Sequence, residues 1–215
     1  MEKFLMLDTE TTNSIDDPIC YDIGFAVVDL TGKVYEQHSY VVADVFLDKD
    51  LMASAYFAEK IPQYWEDIKS GKRKLRKYKT IRFILRDVMA QYNIKYVVAH
   101  NAQFDYRSTN LTQRFLTSSA FRYFFPYGTQ FLDTLKMAKE TFGNDEKYIQ
   151  YCIDNCYTYG AKNTPRFTAE ILYRYLTGQE DFIESHTGLE DVMIEKDIFV
   201  ECAKKMAVQK GLLWV

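Results

Sequence analysis

The period of the apolar residues changes along this chain, and the change limits the fold more than any other feature does. Up to about residue 42 the pattern is that of strands. FLML (4 to 7) is a continuous run, YDIGFAVVDL (21 to 30) alternates through Ile23, Phe25 and Val27, and VYEQHSYVV (34 to 42) follows a turn at LTGK. From Lys79, residues Ile81, Ile84, Leu85, Val88, Met89 and Tyr92 fall at helical spacing up to about Asn93, and KYVVA (95 to 99) is a short strand. Helix and strand then alternate. Asn101 is expected to cap a helix carrying Leu111 and Phe115, QFL (130 to 132) forms a strand, and Asp133 caps LKMAKETF. Helices over about 146–158 and 167–177 precede a last one from Thr187 to about Gln209, whose inner face is Leu189, Val192, Met193, Phe199, Ala203 and Met206. A three-stranded meander followed by alternation predicts an α/β fold, a mixed sheet with helices on both sides. Residues 44 to 78 are the least regular part.

A chain of 215 residues with 47% hydrophobic and 27% charged side chains can bury about 70% of its unfolded surface. With no internal repeat and no Gly/Ser/Pro linker, we expect one domain over 1–215. The apolar run before Asp8 is too short for a signal peptide or membrane span, so a cytoplasmic protein with no membrane partner is expected. Cys20, Cys152, Cys156 and Cys202 form no CxxC pair, which favours structural thiols over a zinc site. A net charge of −3 excludes a grip on nucleic acid by the protein as a whole, leaving local patches. KSGKRKLRKYK (69 to 79), with seven Lys/Arg and no acid, is a candidate for phosphate contacts. Walker A, dinucleotide-fingerprint and GxSxG patterns are absent from the sequence.

Three segments carry candidate chemistry. Asp8 and Glu10 end the first strand two residues apart, so in extended geometry they share a face, where two anions repel unless a cation lies between them. Oxygen ligands of this kind suit Mg²⁺ or Mn²⁺. AHNAQFD (99 to 105) follows the KYVVA strand at its carboxyl end, and Asp105 at the fourth helical position leans back toward the strand ends. In HTGLED (186 to 191), Thr187 and Glu190 have capping-box spacing, which leaves His186 outside the last helix and Asp191 in its first turn. On one continuous helix those two would be roughly 140° apart, whereas with His186 outside both can face one site.

With D-x-E, a later Asp and H-x4-D in this order, the sequence resembles the DEDDh branch of the DEDD 3′-to-5′ exonucleases, relatives of polymerase III proofreading subunits and ribonuclease T. The resemblance runs from Asp8 to the last helix. It implies a ribonuclease H-like fold, a five-stranded mixed sheet flanked by helices. It implies that Asp8, Glu10, Asp105 and Asp191 hold two divalent metal ions, Mg²⁺ or Mn²⁺, and that His186 is the general base. Thr11, Thr12 and the backbone of Thr9 and Glu10 would border the 3′-terminal sugar, while Asn101 and Phe104 would touch the last nucleotides, with a core position for Phe104 equally open. The implied reaction releases nucleoside 5′-monophosphates from the 3′ ends of single-stranded nucleic acid. DNA is favoured, with RNA 3′-end trimming or a non-catalytic docking module as alternatives and a separate polymerase chain as a possible partner. The family's Gly after the two threonines is replaced by Asn13, a residue that tolerates a left-handed backbone. Tyr148, Tyr151, Tyr157 and Tyr159 crowd the segment 143 to 166 and are expected to pack rather than stack on bases.

Overall fold

β1 (Lys3–Thr12) is buried on both faces. Leu5 and Leu7 enter one apolar cluster, and Phe4 and Met6 enter another on the opposite side of the sheet. This is a computed structural model of the chain and describes residues 1–118 and 120–209, so residues 210–215 of the expected domain lie outside the described residues. β2 (Ile19–Asp29) is buried along its whole length between β1 and β3 (Val34–Val42), antiparallel to both.

The irregular stretch contains more structure than its sequence pattern predicts. It folds into α1 (Ala43–Phe46), α2 (Lys49–Met52), a single 3-10 turn at Ala58–Lys60, α3 (Ile61–Ser70) and β4 (Lys74–Arg76). β4 pairs in parallel with Tyr40–Val42, so the sheet has six strands in the order β4-β3-β2-β1-β5-β6 rather than the expected five. The sixth strand escapes a periodicity reading because it is three residues of alternating exposure at a sheet edge.

α4 (Tyr78–Gln91), β5 (Tyr96–Ala99), α5 (Ala102–Leu116), β6 (Gln130–Asp133) and α6 (Thr134–Phe142) follow close to their expected bounds. The Asp133 side chain caps α6 by accepting the Leu135 N–H at 3.0 Å. α7 (Glu146–Asp154), the small β7 (Thr158–Tyr159) and β8 (Thr164–Pro165) ribbon, and α8 (Ala169–Thr177) lead to α9 (Gly188–Gln209). α9 is buried on two sides. Val192 and Phe199 pack on the sheet, while Ile194, Ile198 and Cys202 pack on α6, α7 and α8. Tyr148, Tyr151 and Tyr157 belong to that second cluster, as expected, whereas Tyr159 is 54% exposed. Among the described residues, no helix is long and apolar enough to cross a membrane.

Candidate active site at the carboxyl ends of the parallel strands

β1, β5 and β6 run parallel to one another, so their carboxyl ends share one edge of the sheet. Asp8 and Glu10 leave β1 there. A register shift between Glu10 and Thr11 bends the strand directly after them, and the turn is completed by Asn13 at φ 71°. α5 starts one residue beyond the left-handed Asn101 (φ 65°), which places Asp105 in its first turn on the buried face. The Thr9 hydroxyl donates to Asp105 Oδ1 at 2.8 Å and fixes that carboxylate.

α9 reaches this edge because two glycines meet. A Cβ on Gly24 would lie 2.2 Å from the Gly188 carbonyl carbon, and one on Gly188 would lie 2.7 Å from the Gly24 nitrogen. The Gly188 N–H donates to Asp22 at 3.0 Å, and the same carboxylate oxygen accepts Arg73 at 3.1 Å and the Tyr64 hydroxyl at 2.7 Å. Arg73 also holds Asp67 and Glu190, so a buried guanidinium ties α9 to β2 and to the loop before β4. The capping box expected of Thr187 and Glu190 is replaced by a different set of bonds, in which Asp191 rather than Glu190 takes the Thr187 N–H. Asp191 accepts the Thr187 N–H at 2.8 Å, and Glu190 accepts the Thr187 hydroxyl at 3.0 Å. His186 stands outside the helix with a left-handed backbone (φ 51°), its ring flat on Phe57 at 4.2 Å and 10°.

These elements enclose a cavity of about 690 Å³ whose lining includes Asp8, Glu10, Asp105, His186, Asp191 and Glu195. Ligand atoms of Glu10, His186 and Asp191 lie within 4.8 Å of one another. Burial raises every one of the carboxylates. Asp8 and Glu10 are held well above the usual range by burial and by neighbouring acids, and burial pushes Asp105 and Asp191 up to about 7. Burial acts oppositely on His186, lowering its pKa and favouring the neutral imidazole at pH 7. Asp8 Oδ2 is buried without a hydrogen-bond partner. An orphaned carboxylate oxygen among mutually repelling acids fits a hard divalent cation, and the Glu10, His186 and Asp191 group is spaced to hold one.

No protein-family model and no curated protein matches the sequence. Among solved structures, a product-bound exonuclease I superposes with a TM-score of 0.59 at 14% identity over 98% of this chain and 44% of that one. The zinc-bound E. coli ExoI complex with single-stranded DNA gives 0.55 at 16% identity, and E. coli exonuclease I with a dA16 oligonucleotide gives 0.54 at 14%. The chain shares the fold of the matched part of exonuclease I. That fold is ribonuclease H-like, as the resemblance implies, and its mixed sheet flanked by helices is what the element order predicts. This chain spans less than half the length of those proteins, covering 98% of itself but 41% of the zinc-bound chain.

Several expectations about individual residues change. Thr12 is buried, and its hydroxyl bonds to the Leu51 carbonyl and Ser54, which takes its side chain away from any substrate. The Thr9 hydroxyl is committed to Asp105 and Ser108. The Asn101 side chain does not cap α5; its carbonyl accepts the Phe104 N–H at 2.8 Å, and its own N–H donates to Asp133. Phe104 is not a core residue. It is half-buried and, with Thr11, Asn13 and Phe57, lines an apolar slot of about 490 Å³ beside the carboxylates. Two residues of the basic run serve as structure, since Arg73 is 1% exposed and Lys72 pairs with Glu190 at 2.8 Å, while Lys69, Lys74, Arg76, Lys77 and Lys79 are exposed.

Sequence reasoning missed Glu195. It lies one helical turn after Asp191, is 3% exposed, accepts the His100 N–H at 3.2 Å, and is the neighbouring acid that raises Asp8 most. The available signal was a carboxylate between Ile194 and Ile198, next to the apolar face of the last helix.

Proposed function

We propose that this chain is a metal-dependent 3′-to-5′ exonuclease releasing nucleoside 5′-monophosphates from single-stranded DNA, with residues 1–215 as one catalytic domain. The observation that carries the reading is the meeting of Glu10, His186 and Asp191 within 4.8 Å, in a cavity that Asp8 and Asp105 also line. Asp8, Glu10, Asp105 and Asp191 would hold two divalent cations, Mg²⁺ or Mn²⁺. When bound, such a pair supplies Lewis-acid activation of water and charge stabilisation of the leaving 3′-oxygen.

The chain's own residues do the rest. The imidazole of His186, kept neutral by burial, accepts the proton of the attacking water, and Phe57 holds its ring plane. Thr9 keeps Asp105 aimed inward. Thr11 and Phe104 border the slot where the terminal nucleotide rests, Phe104 offering a ring face to its base. Asn101, at the cavity rim, meets the adjoining nucleotide. The DNA assignment is supported by the E. coli protein of like fold, which has been captured with dA16 and with single-stranded DNA.

Time-resolved cleavage of 5′-labelled DNA and RNA oligonucleotides in Mg²⁺, Mn²⁺ or EDTA tests the reading. A metal-dependent ladder shortening from the 3′ end, lost in Asp8→Ala and His186→Ala, is expected. Undiminished cleavage by folded Asp8→Ala overturns it, and a strong preference for RNA replaces DNA with RNA trimming.

A further inference from the structure

On the far side of α5 lies a second cavity of about 450 Å³, between α4 and the loop before β6. Arg82, Arg86 and Arg122 line it together with Tyr106, Tyr123 and Tyr127, and no carboxylate does. Among the described residues, none of these arginines forms an ion pair. Arg82 donates to the Tyr123 carbonyl at 2.9 Å and Arg86 to the Phe125 carbonyl at 3.4 Å, so backbone contacts hold two cations side by side on one helix. Burial and the neighbouring Arg86 charge hold Arg82 below its usual range, as expected of an uncompensated pair. Tyr123 is 57% exposed and Tyr127 106%.

Three guanidiniums without an acid, in a chain of net charge −3, are complementary to a polyanion, and exposed tyrosines among them suit unstacked bases. The groove is also placed to serve the cavity already described. Phe104 borders the nucleotide slot and Tyr106 lines the groove. Two residues apart on a helix, they stand roughly 200° apart around α5. Exposed Gln103 and Arg107 lie between them, with the Arg107 guanidinium over the Phe104 ring at 5.9 Å.

We propose that this groove is an exosite for single-stranded nucleic acid, which holds the part of the strand 5′ of the nucleotide being removed after it crosses the first turn of α5. The proposal rests on the exonuclease reading and assigns it a substrate track that does not use the basic run at 69–79.

The test compares wild type with Arg122→Glu and Tyr127→Ala, both exposed, on a 5′-labelled trinucleotide and a 20-residue oligonucleotide at two salt concentrations. The expected result is a KM for the long strand raised about tenfold in each variant, with kcat and all trinucleotide kinetics unchanged and a shallower salt dependence for Arg122→Glu. Equal KM values for the long strand in wild type and variants, or an equal loss on the trinucleotide, overturn the exosite while leaving the exonuclease reading in place. If wild type cleaves neither substrate, that reading fails instead, and the exosite is decided by photocrosslinking a 5-iodouracil oligonucleotide in EDTA. Adducts on Tyr123 or Tyr127 support it. Their absence, or an acidic peptide that binds the groove where the oligonucleotide does not, overturns it.

Discussion

Burial raises the pKa of Asp105 while the hydroxyl of Thr9, at 2.8 Å from the adjacent strand, pulls it down together with backbone hydrogen bonds from Asp105 and Thr9. Thr9→Val preserves shape and removes only the donor. On the proposed reading of Asp105 as a ligand, it is expected to cost about 10- to 100-fold in metal affinity or in turnover at limiting Mn²⁺, with little change in folding, as loss of a hydrogen bond to a ligating side chain does in metal sites. Calorimetric titration of Mn²⁺ checks this, and unchanged affinity would reduce Thr9 to a packing residue. His186 shifts the opposite way, because burial disfavours its cation. A neutral base loses activity as pH falls through its pKa, so the depressed pKa extends activity toward acid. Phe57, stacked at 4.2 Å, supplies part of that burial. In Phe57→Ala the imidazole gains water, its pKa rises toward the ordinary value, and the acid limb of the kcat profile moves to higher pH. An acid limb that stays in place, measured at saturating metal, would show that Phe57 does not tune the base.

The first turn of α9 is where sequence and backbone meet most tightly. Gly24 and Gly188 leave no room for a Cβ, since the clash at Gly24 is with the backbone of Gly188 and Leu189 rather than with a side chain that can swing away. Gly24→Ala is therefore expected to push the start of α9 off β2, separating His186 and Asp191 from Glu10. Cleavage should fall by at least about a hundredfold, in line with misplacement of catalytic groups by about 1 Å. Far-UV circular dichroism should still report a folded sheet, and near-normal cleavage would mean that the helix accommodates the methyl group. The sequence showed this junction only in part. The strand Val34–Val42 was read at its true bounds, and D-x-E, Asp105 and H-x4-D were legible because strand period and cap spacing are local properties. The clamp was not. Arg73 stands in a run of lysines and arginines that reads as a candidate for phosphate contacts, and the acids it holds, Asp22 and Glu190, lie 51 and 117 residues away. Glu195 was hidden for the same reason, as one of several charged residues on its helix, with partners that come from β1 and from the residue after β5. The segments α1 and α2 are four residues each, too short for any period to show.

The two kinds of acid in this fold pull stability in opposite directions with pH. Asp105, Asp191 and the cavity-lining Glu184 are raised by burial to about 7, above the ordinary carboxylate value they regain on unfolding. Between about pH 4 and 7 the folded protein retains protons that the unfolded chain has released, so the metal-free protein loses stability as pH rises through that window. Glu190 behaves in the reverse sense. Burial opposes its ionisation, but Lys72 and Arg73 overcome it and hold the pKa down to about 2, so its contribution is present above its unfolded value and is lost as pH falls toward 2. Stability of the metal-free protein should accordingly be greatest at about pH 4 to 5 and decline toward pH 8, an unusual profile for a chain of near-neutral charge. Divalent cations compete with protons for the same carboxylates, so the stabilisation by Mn²⁺ should be small at pH 5 and grow as pH rises, flattening the profile. Thermal melts from pH 4 to 8, in EDTA and in millimolar Mn²⁺, measure both curves. A metal-free melting temperature that rises toward pH 8, or a Mn²⁺ increment that does not depend on pH, would mean that these acids do not share one cation-binding cavity. The same melts on Asp191→Asn separate the cause, because removing one buried carboxylate should raise the metal-free melting temperature at pH 8 while abolishing most of the Mn²⁺ increment.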